Sequence, residues 1–259
     1  MKLFPTATLL LCLVSPSWAA PSRLEDLIGR ANDQVSRFVE LFSDVKCTEH
    51  VTQEKFRADG KIELKEESTY DYLVILTNAG GEINLDESRL AVREAKKDQK
   101  KNVSMLVSNG FATLFLVFHP YYSSGFQFKD LGEDDLSGHK FRKVQFKHTP
   151  GMRSPAALSL RGREYPLDLS GVAWIDPETG VIGKIDAGLA NSMEDIGLKS
   201  MRSEVQFAPV PFKDAKEVYW FPSEASVEVE TPRQHWRNSH NFTDYKRFSV
   251  STEEKVAEK

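Results

Sequence analysis

The chain has 259 residues, with 34 Lys+Arg against 38 Asp+Glu and a formal net charge of −4. That balance excludes a nucleic-acid binder driven by bulk charge. A hydrophobic content of 40% over this length supports a substantial core, in one large domain or in two.

The first nineteen residues match a secretory signal. Lys2 supplies a positive start, Leu9 to Val14 an apolar stretch, and Ser17-Trp18-Ala19 small residues three and one positions before a cut. The stretch is broken by Pro5 and Pro16 and falls well short of the roughly 20 residues of a membrane span, so the reading is an exported chain beginning at Ala20. Removing Lys2 leaves 33 basic against 38 acidic residues, a mature net charge of −5. It also removes Cys12, leaving Cys47 alone, a half-buried strand residue with no His or Lys placed to activate it.

Next comes SRLEDLIGRANDQVSRFVELFSDV, where Leu24, Leu27, Ile28, Ala31, Val35, Phe38, Val39 and Phe42 recur at helical spacing. Ser22 and Glu25 form a capping box at its start. From Lys46 the period becomes two. A hairpin is predicted about Asp59-Gly60 and another about Gly80-Gly81, with Tyr70, Tyr72, Val74 and Leu76 alternating onto one face. Arg93 to Lys101 is a charged, solvated linker.

The most apolar mature stretch follows: Phe111, Leu114, Phe115, Leu116, Val117 and Phe118. Its all-round apolarity predicts a buried helix, started by Asn109 and stopped by Pro120. Strand signals then resume at FQFKDL, HKFRKVQF, GVAWID, GVIGKID, MRSEVQFAPV, VYWFP, ASVEVET and YKRFSV, and Pro150, Pro155 and Pro166 mark a longer loop. Closely spaced turns of this kind indicate a large antiparallel sheet rather than βαβ units.

Within WIDPETGVIGKIDA, Asp176 and Glu178 could be a catalytic pair or turn punctuation. Asp176-Pro177-Glu178-Thr179-Gly180 separates two alternating apolar runs, with proline pre-setting φ and glycine accepting left-handed geometry, so the acids are read as a hairpin tip. No other constellation is stronger. His235 and His240 are five apart, unsuited to a helical zinc pair, and no G-x-S-x-G elbow or phosphate-cradling loop occurs. No catalytic residue, metal site or cofactor is therefore assigned. The sequons at Asn102 and Asn241 are read as coincidental. In TPRQHWRNSHNFTDY, Arg233, Trp236 and Arg237 are candidates for a headgroup or partner contact, or else an Arg/Trp brace on a loop between the last two strands.

The segments GVAWIDPETGVIGKIDA, RSEVQFAPV, VYWFPSEASVEVET and HNFTDYKRFSV resemble the LolA-like outer-membrane lipoprotein-sorting superfamily, in particular its exported bacterial members; VTQEKFRADGKIELKEESTYDYLVIL fits more loosely. The resemblance implies a mainly β fold with helices (α+β), a strongly curved antiparallel sheet or incomplete β-barrel closed by helices on its concave face. It implies a single domain over 20–250, a polar tail over 251–259, and a periplasmic or secreted location. An apolar cavity would take acyl chains, with Phe111, Leu114, Phe115 and Phe118 on a plug or lid and Tyr72, Val74, Phe207 and Phe221 as candidate walls.

Three functions remain. The first is a carrier of a lipid or acylated protein, with an envelope protein as a further candidate partner. The second is a sensor or assembly module of the same fold, its interior filled by its own side chains. The third is a secreted hydrolase that would need Asp176 or His235. An accessible cavity at Phe111 and Phe115 separates the first from the second.

Overall fold

The computed structural model describes residues 23–79, 82–93, 111–160, 163–212 and 218–248. The signal segment, Ser22 of the capping box, Gly80-Gly81, residues 94–110 with most of the charged linker, and the 251–259 tail lie outside them.

The helical period produces α1 (Arg23–Phe42), with Glu25 and Asp26 in its first turn, where the helix dipole favours acids. Its apolar stripe is buried at Leu27, Ala31, Val35, Phe38, Val39 and Phe42. Each large apolar side chain removed from water contributes about 1.5–3 kcal/mol, so this face holds the helix in place.

Strands β1 (Val45–Phe56) and β2 (Ile62–Ala79) form the first predicted hairpin. Gly60 has φ +78°, and Asp59 Oδ1 accepts from the Lys61 amide at 3.1 Å. Strand β3 (Glu82–Arg93) continues from the pairing Ala79↔Glu82.

The apolar stretch forms a 3₁₀ helix, Phe111–Phe118, in which Leu114 to Phe118 are all buried. Pro120 does more than stop it. It opens a short helix α2 (Pro120–Ser123), capped by His119 Nδ1, which accepts from the Tyr121 amide at 3.1 Å. A proline tolerates that first position because the amide it lacks would have no partner there.

The remaining strands are β4 (Phe126–Leu136), β5 (His139–His148), β6 (Ala157–Leu160), β7 (Arg163–Pro166), β8 (Leu169–Ile175), β9 (Ile182–Leu189), β10 (Ser200–Pro211), β11 (Val218–Glu230) and β12 (His235–Arg247). Three expectations are corrected. VYWFP and ASVEVET are one strand, β11, bent by a register shift beside Phe207. The proline-marked loop carries the β6/β7 hairpin. TPRQHWRNSHNFTDY is not a loop: past the turn at Thr231 to Gln234 it is β12, because His235 to Arg247 pairs with β1 along nearly its whole length.

Among the described residues, ten strands form one antiparallel sheet in the order β3-β2-β1-β12-β11-β10-β9-β8-β5-β4. The sheet is curled but not closed, with β3 and β4 at its edges. Alternating residues of one face, among them Cys47, Tyr72, Val74, Val144, Phe146, Ala173, Ile185, Val205, Val227 and Phe242, are buried in one core with α1 and the 3₁₀ helix. This is the concave face, and it matches the mainly β, helix-covered architecture expected from the sequence.

Candidate functional site

The interior of the curl is an aromatic layer. Phe38 of α1 lies edge-on to Phe115 of the 3₁₀ helix, ring centroids 4.8 Å apart at 88°. It also touches Phe42 at 5.1 Å and Phe221 at 5.3 Å, and reaches Phe207 at 6.5 Å. Phe118 stacks on Phe128 and meets Phe146 edge-on. Phe115 is 1% exposed, and Phe118 and Phe221 are fully buried. The space between helices and sheet is filled by the protein's own rings.

A small cavity of about 30 Å³ remains beneath Phe38, Phe115, Phe207, Val35, Ile182 and Trp220, enough for one or two waters. It adjoins a groove of about 590 Å³ at the open side of α1, sharing Gln34, Phe38, Val181 and Trp220 with it. The groove's floor is Phe38, Leu41, Val181, Tyr219 and Trp220, and its rim carries Arg30, Asp33, Arg37 and Glu178. Its volume falls in the range of small-molecule sites.

The Asp176 turn forms one bank of this groove. Asp176 Oδ1 accepts from the amides of Glu178 (2.9 Å) and Thr179 (2.7 Å) and from Thr179 Oγ1 (2.8 Å), as turn punctuation requires. Gly180, at φ +76°, presses on the backbone of α1: a Cβ there would lie 2.5 Å from the carbonyl carbon and oxygen of Arg30. The turn clamps the helix.

A buried polar cluster occupies the concave face near β3. Glu49 of β1 is fully buried; Arg89 of β3 donates to it from Nε at 2.6 Å and from Nη2 at 2.9 Å, and His240 Nδ1 of β12 bonds it at 2.8 Å. Arg89 also contacts Glu87 at 2.8 Å and lies over the Tyr72 ring at 5.0 Å. Burial would raise the Glu49 carboxyl, but the hydrogen bonds from His240 and Arg89 outweigh it and hold the group below its ordinary value. Burial lowers His240, against the opposing pull of Glu49. Sequence reasoning missed this cluster. The available signal was parity: Glu49 shares its face with Cys47 and Val51, and His240 shares its face with Phe242.

The structure brings together most of the sequence-predicted wall and lid residues. Tyr72, Val74, Leu114, Phe115, Phe118, Phe207 and Phe221 join one core; Phe111 opens the 3₁₀ helix. It separates the headgroup candidates. Arg233 lies in the turn before β12, Trp236 shares the inward parity of Asn238 and His240, and Arg237 has the opposite parity. Arg237 bonds Glu228 at 3.2 Å and lies over Phe56 at 5.2 Å, while His235 also bonds Glu228 and meets the Phe56 ring at a tilt, centroids 4.7 Å apart. Cys47 is buried, and burial pushes its thiol up to about 12, against a hydrogen bond with Tyr245. Among the described residues no group of three His, Cys, Asp or Glu side chains could hold a metal ion, and no helix is long and apolar enough to cross a membrane.

No family model matches the chain, and no curated protein matches it in sequence. Solved structures do. A DUF1329 family protein from Desulfovibrio piger is 11% identical, with 90% of this chain and 96% of that one covered, at a TM-score of 0.42. A domain described as an outer membrane lipoprotein-sorting protein, from Vibrio parahaemolyticus, is 14% identical over 88% and 94%, at 0.39. The Mycobacterium tuberculosis lipoprotein LppX is 10% identical over 88% and 98%, at 0.26.

Proposed function

We propose that this protein is exported to the bacterial envelope and there holds a lipid, or the acyl chains of an acylated protein, between its concave face and the helices covering it. The observation that carries this reading is the groove beside α1. Its floor runs past Trp220, Val181 and Phe38 to the Phe115–Phe207 layer, so a chain that passes the charged rim and Gln34 meets a largely apolar path inward. Burial of that surface, at about 25 cal/mol per Å², supplies affinity without covalent chemistry. Because rings fill the interior, loading requires α1 and the Phe115 helix to move outward, as lids do.

A second reading has an observation of its own. An aromatic layer that, among the described residues, leaves a cavity of only about 30 Å³ beneath Phe38 and Phe115 suits an envelope module that carries no cargo and uses its fold as a sensor or docking body. Neither reading uses a catalytic residue: Asp176 is occupied by its turn and His235 by Glu228.

The test is mass spectrometry of organic extracts from protein purified out of a bacterial periplasm without detergent, followed by titration with a fluorescent fatty acid. A stoichiometric lipid, or saturable uptake of the probe, supports the carrier. Two variants locate the site. Phe115→Asp is expected to lower retention in protein that still folds, and Val181→Trp to obstruct the groove without placing a charge in the core. A lipid-free protein that ignores the probe, or full retention in both folded variants, refutes the carrier in favour of the self-filled module.

A further inference from the structure

The concave face is mostly apolar, yet it carries hydrogen-bond donors that the protein leaves unmet. Ser203 Oγ on β10 and Trp236 Nε1 on β12 are both buried atoms with no hydrogen-bond partner, and Ser203 is only 4% exposed. Native interiors rarely leave a donor in this condition without a reason.

Their placement follows from the register. Ser203 lies opposite Val227, and Val227 opposite Asn238; Trp236 lies opposite Val229, and Val229 opposite Met201. The two donors therefore sit one row apart on either side of β11, over a floor of Val227 and Val229. Along β10 the same face continues through Val205 to Phe207. Four residues of strand put Ser203 about 13 Å from the Phe207 end of the aromatic layer. The buried Asn238 stands in the Ser203 row across Val227, and a third buried donor without a partner, Tyr72 Oη, lies apart from the pair beside Arg89.

We propose that Ser203 and Trp236 form a subsite for the carbonyl oxygens of an acyl ester or amide, fixing the polar end of a ligand whose chain runs along β10 toward Phe207 and Phe221. The chemistry selects this class. An indole N–H can only donate, and a serine hydroxyl without an acceptor is free to donate. An acyl carbonyl is a strong acceptor; the hydrocarbon attached to it suits Val205, Phe207 and Phe221. An ether-linked chain of equal length offers the same apolar surface but no carbonyl. The inference rests on the acyl-binding reading above and adds orientation and ligand class to it.

The experiment compares a diacylglycerol, with one carbonyl for each donor, and the 1,2-di-O-alkyl glycerol of the same chain length, each displacing a fluorescent fatty acid from the wild-type protein, Ser203→Ala, Trp236→Phe and the double variant. The wild type is expected to prefer the ester about tenfold, the worth of two modest neutral hydrogen bonds. Each single variant should lose part of that preference and the double variant nearly all of it, with ether affinity held within about twofold. Unfolding midpoints give an independent readout: Ser203→Ala removes an unmet donor, so the unliganded variant should be as stable as the wild type or more so. Equal wild-type affinity for ester and ether, a preference that survives in the double variant, or a clearly destabilised Ser203→Ala would each overturn the subsite. If neither lipid displaces the probe the subsite is refuted as assigned, and if the probe itself fails to bind, the acyl-binding reading falls with it.

Discussion

Gly180→Ala tests the clamp between the Asp176 turn and α1, and Gly60→Ala is its internal control. The two glycines have nearly the same backbone, φ +76° and +78°. An L-residue in that left-handed region costs about 1–2 kcal/mol at either site. Around Gly60 nothing lies within 4 Å of a new Cβ, so the backbone cost is the whole cost. At Gly180 the new Cβ would stand 2.5 Å from Arg30 carbonyl atoms and 2.8 Å from the Ala31 amide nitrogen. These are backbone atoms of a helix buried along one face, and no rotamer change relieves them, so an overpacking cost of about 1–3 kcal/mol is added. Gly60→Ala should therefore lose about 1–2 kcal/mol and Gly180→Ala about 2–5 kcal/mol. Urea unfolding followed by tryptophan fluorescence measures both, provided the slopes match and only the midpoints move. If α1 is the lid, Gly180→Ala should also take up a fluorescent fatty acid faster than Gly60→Ala. Equal losses for the two variants would show that the turn does not clamp the helix.

Glu49→Gln leaves the partly buried Arg89 with a weakened partner beside Glu87 and should cost about 2–4 kcal/mol, somewhat less than an uncompensated buried charge; a loss under about 1 kcal/mol in urea unfolding would mean the cluster is far more hydrated than its geometry indicates. Acid should destabilise the protein in two stages. His240 is depressed in the folded state, so stability is lost as pH falls below its ordinary 6.5; Glu49 is depressed too, adding a second loss below about 4.5. Thermal melts from pH 8 to 3 check both stages, and a melting temperature that rises on acidification would reverse the assignment. Asp176→Ala removes three turn hydrogen bonds at an exposed site and should cost about 1 kcal/mol in urea unfolding; a loss above about 3 kcal/mol would mean that the turn holds α1 far more tightly than its exposed bonds indicate. The Cys47 thiol, raised to about 12, should react with a maleimide at pH 8 only as fast as the protein opens; rapid labelling of the folded protein would contradict its burial.

Local features were legible in the sequence because their causes are local. The stripe from Leu27 to Phe42 is written in the 3.6-residue period, the Asp59-Gly60 and Asp176–Gly180 turns in residues with special backbone preferences, and the burial of Leu114 to Phe118 in their lack of any polar face. Period two likewise marked Tyr72 and Val74 as sharing a face, though not which face was inward. What depended on strand order was hidden. Only the pairing of β12 with β1 places His240 on Glu49, 191 residues away, and merges Trp236 and Arg237 into a strand that sends them to opposite sides. Only the curl of ten strands turns Ser203 and Trp236 toward one interior, and only the meeting of α1, the Phe115 helix and β11 fills that interior with rings. Backbone preference and hydrophobic period act over a few residues and are fixed by the sequence itself; the neighbours of a buried side chain are set by which distant strands lie side by side, and that came with the tertiary structure alone.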